Sequence, residues 1–287
     1  MSGVAGRVIA VTGAGGGLGR EYALLLAREG ARVVVNDLGG ARDGTGGSSS
    51  AAEAVVAEIV AAGGEAVANA DDVSTADGGA AVVQSALDAF GRVDGVVANA
   101  GILRDATFHK LTAENWDAVL RVHLGGTFSV IRAAWPHLRE QQHGRVVVAT
   151  STSGIYGNFG QANYATAKSG LIGLANTLAI EGARYGIHVN AVAPLATTRM
   201  TQDVTPPELL EQLTPAHVAP VVVHLLADET ADSGNTFVVG GGDVHRVRWF
   251  RSRGVQFPSV PSVAEVATRW SEITDLTDAE EGRSPTA

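Results

Sequence analysis

Apolar residues run along this chain in two alternating rhythms. Residues 7–11, 32–35, 66–69, 95–98, 144–149, 187–192 and 235–239 are short, mostly continuous apolar runs rich in valine and alanine. Runs that do not alternate with polar positions predict strands buried on both faces. Between them apolar residues recur every three or four positions, as Leu18, Tyr22, Leu25 and Leu26 do after the first run, and this spacing predicts helices. Further helices are expected over 51–62, 77–90, 113–141, 161–185 and 215–227, with a short amphipathic one over 263–273. Gly125-Gly126 should loosen or tighten the long 113–141 helix, and Pro136 should kink it. Strand and helix in alternation imply an α/β domain: a doubly wound parallel sheet of about seven strands between two helical layers. Residues 1–250 are expected to form it, and 251–287 a C-terminal extension with a short helix and a disordered tail.

Composition narrows the function classes. The 287 residues are 45% hydrophobic and 18% charged, which suits one globular domain with an appendage. A net charge of −9 argues against nucleic acid as a partner. The absence of cysteine removes disulfides, a thiol nucleophile and cysteine-ligated metal. The eight histidines show no paired spacing with carboxylates, so no metal site is expected. No apolar stretch is long enough to span a bilayer, and the N-terminus runs straight into a strand. A cytoplasmic protein with no membrane partner is the expectation.

The first strand leads into Thr12-Gly13-Ala14-Gly15-Gly16-Gly17-Leu18-Gly19 and then a helix. Strand, glycine loop and helix in that order suit a dinucleotide: glycines let the backbone approach a pyrophosphate, and the helix N-terminus offers N–H groups to it. A flexible turn is the alternative. Asp37 ends the second strand, where a carboxylate can hydrogen-bond adenosine ribose hydroxyls and would repel a 2′-phosphate. With no basic residue inside the loop, NAD is favoured over NADP; Asp37 as a turn residue is the alternative. Residues 39–50, GGARDGTGGSSS, form an unusually long connection that either covers the adenosine end, meets a partner subunit or is an idle solvent loop. Asp72, beside Val73, could accept a hydrogen bond from adenine or cap a helix. Asn99-Ala100-Gly101 ends the fourth strand with small residues that suit close passage of a cofactor.

The fifth strand leads to Ser151, and Tyr164 and Lys168 follow four residues apart, on one face of the predicted helix. A hydroxyl, a phenol and an ammonium are thus aimed at one place. A phenol ordinarily titrates near about 10; a nearby cation favours the phenolate, which could then take a proton from an alcohol. Lys168 is one of only two lysines in a chain that otherwise uses arginine, which suits a site needing a compact point charge. Residues 195–215 read as a mobile lid over a substrate pocket, an ordinary helical hairpin being the alternative. Arg246, Arg248, Arg251 and Arg253 lie among aromatic residues, where they could bind phosphates or form a subunit contact.

Thr12-Gly13-x-x-x-Gly17-x-Gly19, Asn99-Ala100-Gly101, Ser151 and Tyr164-x-x-x-Lys168 together resemble the short-chain dehydrogenase/reductase family over about residues 7–250. The resemblance implies a Rossmann-like sheet, a nicotinamide cofactor and a homodimer or homotetramer. It implies Tyr164 as general acid/base, Ser151 as the group orienting the substrate oxygen, and Lys168 as holding the ribose and lowering the Tyr164 pKa. His123 stands where the family places a catalytic Asn on the long helix, and Pro194-Leu195 replaces the family's Pro-Gly beside the nicotinamide. Within the family, Val35 to Gly40, Ala100 to Asp105, Ser153 to Tyr164 and Arg199-Met200-Thr201 look like the dehydrogenase unit of peroxisomal multifunctional enzymes of type 2. That unit oxidises (3R)-3-hydroxyacyl-CoA with NAD and is also called a 17β-hydroxysteroid dehydrogenase. An acyl-CoA or a steroid is therefore the expected substrate, with Ser153, Tyr156, Phe159 and Met200 as candidate contacts. A catalytically silent NAD-binding sensor is the alternative of another class.

Overall fold

A computed structural model describes residues 3–196 and 212–282. By internal contacts the chain divides into two units, Met1–His245 and Arg246–Ala287.

The first unit alternates strands and helices in the expected order. Its strands are β1 (Val8–Thr12), β2 (Arg32–Asn36), β3 (Glu65–Asn69), β4 (Gly95–Ala98), β5 (Gly144–Ala149), β6 (Ile187–Pro194) and β7 (Thr236–Gly240), and β8 (Asp243–Val247) runs across the division between the units. The helices described are α1 (Gly17–Arg28), α2 (Ser50–Ala61), α3 (Ala76–Phe90), α4 (Ala113–Leu120), α5 (Gly126–Glu140), α6 (Thr152–Tyr156), α7 (Ala162–Gly182) and α8 (Ala219–Leu226). Sheet order is β3-β2-β1-β4-β5-β6-β7-β8, and every pairing from β3 to β7 is parallel. The order reverses between β1 and β4, and the crevice beyond the carboxyl ends of such neighbours is where open α/β sheets take ligands. The sheet has one strand more than expected. Gly241 and Gly242, both at positive φ, turn the chain after β7, and the arginine-rich stretch begins as the edge strand β8.

Both faces of the sheet are covered, which is why the strand runs are apolar throughout. Ile9, Val11, Val33, Val35 and Val147 pack with Leu26, Val55, Ile59 and Leu225. Val8, Ala10, Val34, Val96 and Val146 pack on the other side with Val82, Ile131, Leu138 and Leu171. Each fully buried valine contributes roughly 1.5–3 kcal/mol of transfer free energy, so these two layers set the register that brings the strand ends level.

The long 113–141 stretch is interrupted where the glycines suggested. A π-helical turn, Arg121–Gly125, separates α4 from α5, and α5 runs through Pro136 to Glu140. Such a turn carries an extra residue per hydrogen-bonded ring and is frequent at functional sites. His123 lies within it.

In the second unit Phe250–Arg251 pairs antiparallel with Glu280–Glu281. Arg248 pairs with Glu281 at 3.1 Å, Arg251 with Glu280 at 3.7 Å and Arg253 with Asp278 at 3.9 Å. The tail expected to be disordered is therefore structured through Gly282, because its acids neutralise the arginines. The helix expected over 263–273 is two short ones, Val263–Thr268 and Trp270–Thr274, the first held by a Ser262–Glu265 capping box.

Candidate active site

The glycine loop is built to bring backbone close to a ligand. Gly13 and Gly17 have φ of 65° and 52°, in the left-handed region. A Cβ on Gly19 would lie 2.1 Å from the Gly13 carbonyl oxygen, and one on Gly15 would lie 2.8 Å from the Asp37 carboxylate. Gly16 precedes α1 with no side-chain cap, and no acidic residue occupies the first turn. The uncapped N–H groups and the helix dipole therefore face an anion site.

Thr12 and Asn99 fix the ends of β1 and β4 to each other. Thr12 Oγ1 accepts from the Asn99 and Ala100 N–H groups at 3.0 and 3.1 Å. Asn99 Nδ2 donates to the carbonyls of Thr12 and Gly13 at 3.1 and 3.2 Å. Asn99 thus serves by shaping the loop. Asp37 Oδ2 accepts from Gly15 N–H at 2.8 Å and Oδ1 from Gly39 N–H at 2.7 Å, so the carboxylate is held at the end of β2. Asp72 accepts from Ser74 N–H at 2.9 Å. It does not cap α3; Thr75 does, accepting from Gly78 N–H.

These elements wall a cleft of about 310 Å³ at the switch point. Gly13, Gly17, Leu18, Asp37, Asp72, Val73, Asn99, Ala100 and Gly101 line it; Gly19, Pro194, Tyr164 and Lys168 do not. The cradle, the uncapped helix N-terminus and the carboxylate together fit an extended nicotinamide dinucleotide.

Tyr164 packs with Ile102, which lines this cleft, and Ser151 and Lys168 lie near its phenol. Ser151 caps α6, its Oγ accepting from Ser153 N–H at 3.1 Å, which leaves its own proton to donate. Lys168 is buried; Nζ donates to the Ala149 carbonyl and lies 5.6 Å from the centre of the Tyr164 ring. Thr150 Oγ1 donates to the Lys168 carbonyl at 2.7 Å, tying α7 to the end of β5. His123 packs edge-on against Tyr164, with ring centroids 5.2 Å apart and planes at 84°. Its Nε2 lies 3.1 Å from Ile102 N and 2.8 Å from Ile102 O, while Nδ1 is buried with no hydrogen-bond partner among the described residues.

Burial dominates the electrostatics here. It raises the Tyr164 phenol above its ordinary value; the Ser151 hydroxyl draws it back and the Asp105 carboxylate adds to the rise. Burial lowers Lys168 to about 7. It also lowers His123 to about 3, the Lys168 charge adding to the fall and the Ile102 backbone opposing it. Tyr164 thus departs upward, opposite to the lowering expected from Lys168, because desolvation of the phenol is the largest influence on it.

The candidate substrate contacts are less concentrated. Ser153 is buried and donates to Gln161 Oε1 at 2.8 Å. Tyr156 and Phe159 are 70% and 87% exposed and line no slot among the described residues. Met200 and most of the proposed lid lie outside the described residues. Asn163 escaped the sequence reading. It is fully buried, accepts from Tyr164 N–H at 2.8 Å, and donates to the Arg104 carbonyl at 3.0 Å. Its signal was a polar residue in the first turn of a helix whose N-cap position, Gln161, makes no side-chain capping bond.

Comparison with known proteins agrees with this geometry. The family profile described as short chain dehydrogenase matches residues 7–209. A short-chain type dehydrogenase/reductase of Mycobacterium tuberculosis is 66% identical over 279 residues, 97% of this chain and 98% of that protein. The mouse peroxisomal multifunctional enzyme type 2 is 52% identical over 277 residues, 96% of this chain but only 37% of that enzyme. The full-length type 2 enzyme of Drosophila melanogaster superposes with a TM-score of 0.83 at 39% identity, over 98% of this chain and 48% of that one. The chain belongs to the short-chain dehydrogenase family and is an oxidoreductase acting on CH–OH donors.

Proposed function

We propose that this short-chain dehydrogenase uses NAD to oxidise (3R)-3-hydroxyacyl-CoA to 3-oxoacyl-CoA. The observation that supports the reaction type is the grouping of Ser151 and Lys168 around the Tyr164 phenol, which packs with Ile102 of the cleft wall. The substrate class rests on the motifs shared with type 2 multifunctional enzymes, of which this chain matches only the dehydrogenase-sized part. Asp37, held at the end of β2 by two backbone N–H groups, supports NAD over NADP.

A bound nicotinamide supplies the hydride acceptor. Tyr164 Oη takes the proton of the substrate hydroxyl, so one hydride and one proton leave the carbinol and a carbonyl remains. The Ser151 hydroxyl holds the substrate oxygen. Lys168 would hold the ribose, its Nζ lying 5.6 Å from the centre of the Tyr164 ring. His123 is neutral at physiological pH, since burial lowers it to about 3. Its Nε2 is occupied by the Ile102 backbone, so we assign it a positioning role behind Tyr164 rather than proton transfer. The arginines at 248, 251 and 253 are paired with acids of their own unit, so the thioester carrier's phosphates are not assigned to them. Tyr156 and Phe159 stand largely in solvent, and most of the lid that would complete a sterol slot with them lies outside the described residues.

The test is initial-rate reduction of NAD with a medium-chain (3R)-3-hydroxyacyl-CoA, beside its (3S) isomer, 17β-estradiol and the same reactions with NADP. Fast (3R)-selective, NAD-dependent turnover is expected. Turnover of the steroid alone, or a preference for NADP, would refute the corresponding half of the proposal.

A further inference from the structure

The connection between β2 and α2 is folded onto the far side of the cofactor cleft. At its base, Ser48 N–H donates to the Leu38 carbonyl at 2.8 Å. At its tip the chain closes on itself: Ala41 N–H donates to Thr45 O at 2.8 Å, Gly44 N–H to Ala41 O at 3.0 Å, and Asp43 Oδ1 accepts from Thr45 Oγ1 at 2.7 Å. That tip reaches the segment after β4. The Arg42 carbonyl accepts from Leu103 N–H at 3.0 Å, and the Asp43 carbonyl accepts from Arg104 Nε at 2.9 Å. Gly44 has φ of 86°, and a Cβ there would lie 3.1 Å from Ile102 Cγ2. Gly40, Ala41, Arg42 and Gly44 line the cleft opposite the glycine loop. The segment therefore spans the switch point from the adenosine side to the exit of β4.

Arg104 is placed to sense this closure. Its guanidinium also reaches Asn115 Oδ1 at 3.4 Å and Glu114 at 3.9 Å, at the start of α4. Its carbonyl accepts from Asn163, which holds the Tyr164 N–H. The neighbouring Ile102 holds His123, the ring behind Tyr164. One short segment, 102–104, thus touches the loop tip on one side and both supports of Tyr164 on the other.

We propose that residues 38–48 are a strap that closes over the bound dinucleotide, latched by Arg104, which acts as a positioning residue joining cofactor occupancy to the placement of Tyr164. The inference rests on the nicotinamide reading given above. The latch is one backbone hydrogen bond and one charge-assisted hydrogen bond at a half-exposed site, weak enough to open for entry and strong enough to slow exit.

The experiment uses the full chain, with NADH release followed by stopped-flow fluorescence and amide hydrogen exchange at Leu103 measured with and without NADH. In the wild type, NADH should raise protection of the Leu103 amide, since that amide is satisfied by the strap. Arg104→Ala should release NADH roughly tenfold faster and abolish most of the NADH-dependent protection, with Arg104→Lys in between. Gly44→Ala strains the tip without removing a charge and should act in the same direction, which covers the case in which Arg104→Ala fails to fold. Wild-type release rates in both Arg104→Ala and Gly44→Ala, or Leu103 protection indifferent to NADH, would overturn the strap while leaving the cofactor reading intact. A wild-type chain that binds no NADH would overturn both.

Discussion

Replacing His123 with Asn tests whether burial controls the active-site charge. His123 is 2% exposed and titrates at about 3 in the folded chain, against 6.5 in a solvated peptide. The sign follows from which state holds the proton. Between those two values the unfolded chain binds a proton that the folded chain excludes, so stability is complete above pH 6.5 and lost as the pH falls toward 3. The whole interval is worth on the order of 5 kcal/mol, and the part between pH 8 and pH 4.5 roughly 3 kcal/mol. Urea unfolding of wild type and His123→Asn at those two pH values isolates this contribution, because the other histidines titrate alike in both. The variant should lose less stability on acidification than the wild type by roughly 2–3 kcal/mol. At pH 8 it should still be less stable by about 1–2 kcal/mol, from the lost edge-on contact with Tyr164 and a disturbed bond to Ile102. Equal acid dependence in the two proteins would show that His123 takes up its proton without opening the fold, and the argument from burial would fail.

Three other outcomes follow from the same geometry. A Cβ on Gly101 would lie 2.1 Å from His123 Cε1, so Gly101→Ala should cost about 1–3 kcal/mol in denaturant unfolding, and clearly less in the His123→Asn background. Lys168 falls to about 7 on burial, from 10.5 in solution, so its desolvation cost is full below pH 7 and fades as the pH rises to 10.5; Lys168→Met should flatten the rise in stability between pH 6.5 and 9.5, measured by the same unfolding assay. Asp37→Ala frees the Gly15 and Gly39 N–H groups and removes the charge that opposes a 2′-phosphate, so the ratio of kcat/KM for NAD over NADP should fall at least about tenfold in initial-rate assays.

The parts of this fold that were legible in the sequence are those set by local chemistry. Valine runs buried on both faces gave the parallel sheet, and the glycine loop between strand and helix gave the cradle, because Gly13 and Gly19 are required by contacts a few residues away. Tyr164 and Lys168 were legible because helical spacing alone puts them together. What was hidden depends on partners distant in the chain. Asp72 reads equally as a cap until Thr75 is seen to take that place. The arginines after β8 read as a phosphate site until the tail acids, nearly thirty residues on, are found opposite them. That the Ser153 hydroxyl donates to Gln161, eight residues on, could not be read from the sequence.

The charge state of the catalytic cluster was hidden for a different reason: it is set by competition. Spacing says that an ammonium near a phenol should favour the phenolate. Burial says that neither group should be charged. Burial wins, with Tyr164 raised, Lys168 lowered to about 7 and His123 lowered to about 3. A cluster that avoids charge at rest cannot take a proton from an alcohol until something near the phenol favours the anion. Among the described residues the Ser151 hydrogen bond does so, and the Asp105 carboxylate opposes it. On the proposed reading, the remaining bias would come from the positive ring of an oxidised nicotinamide and from ribose hydroxyls that would give Lys168 new acceptors.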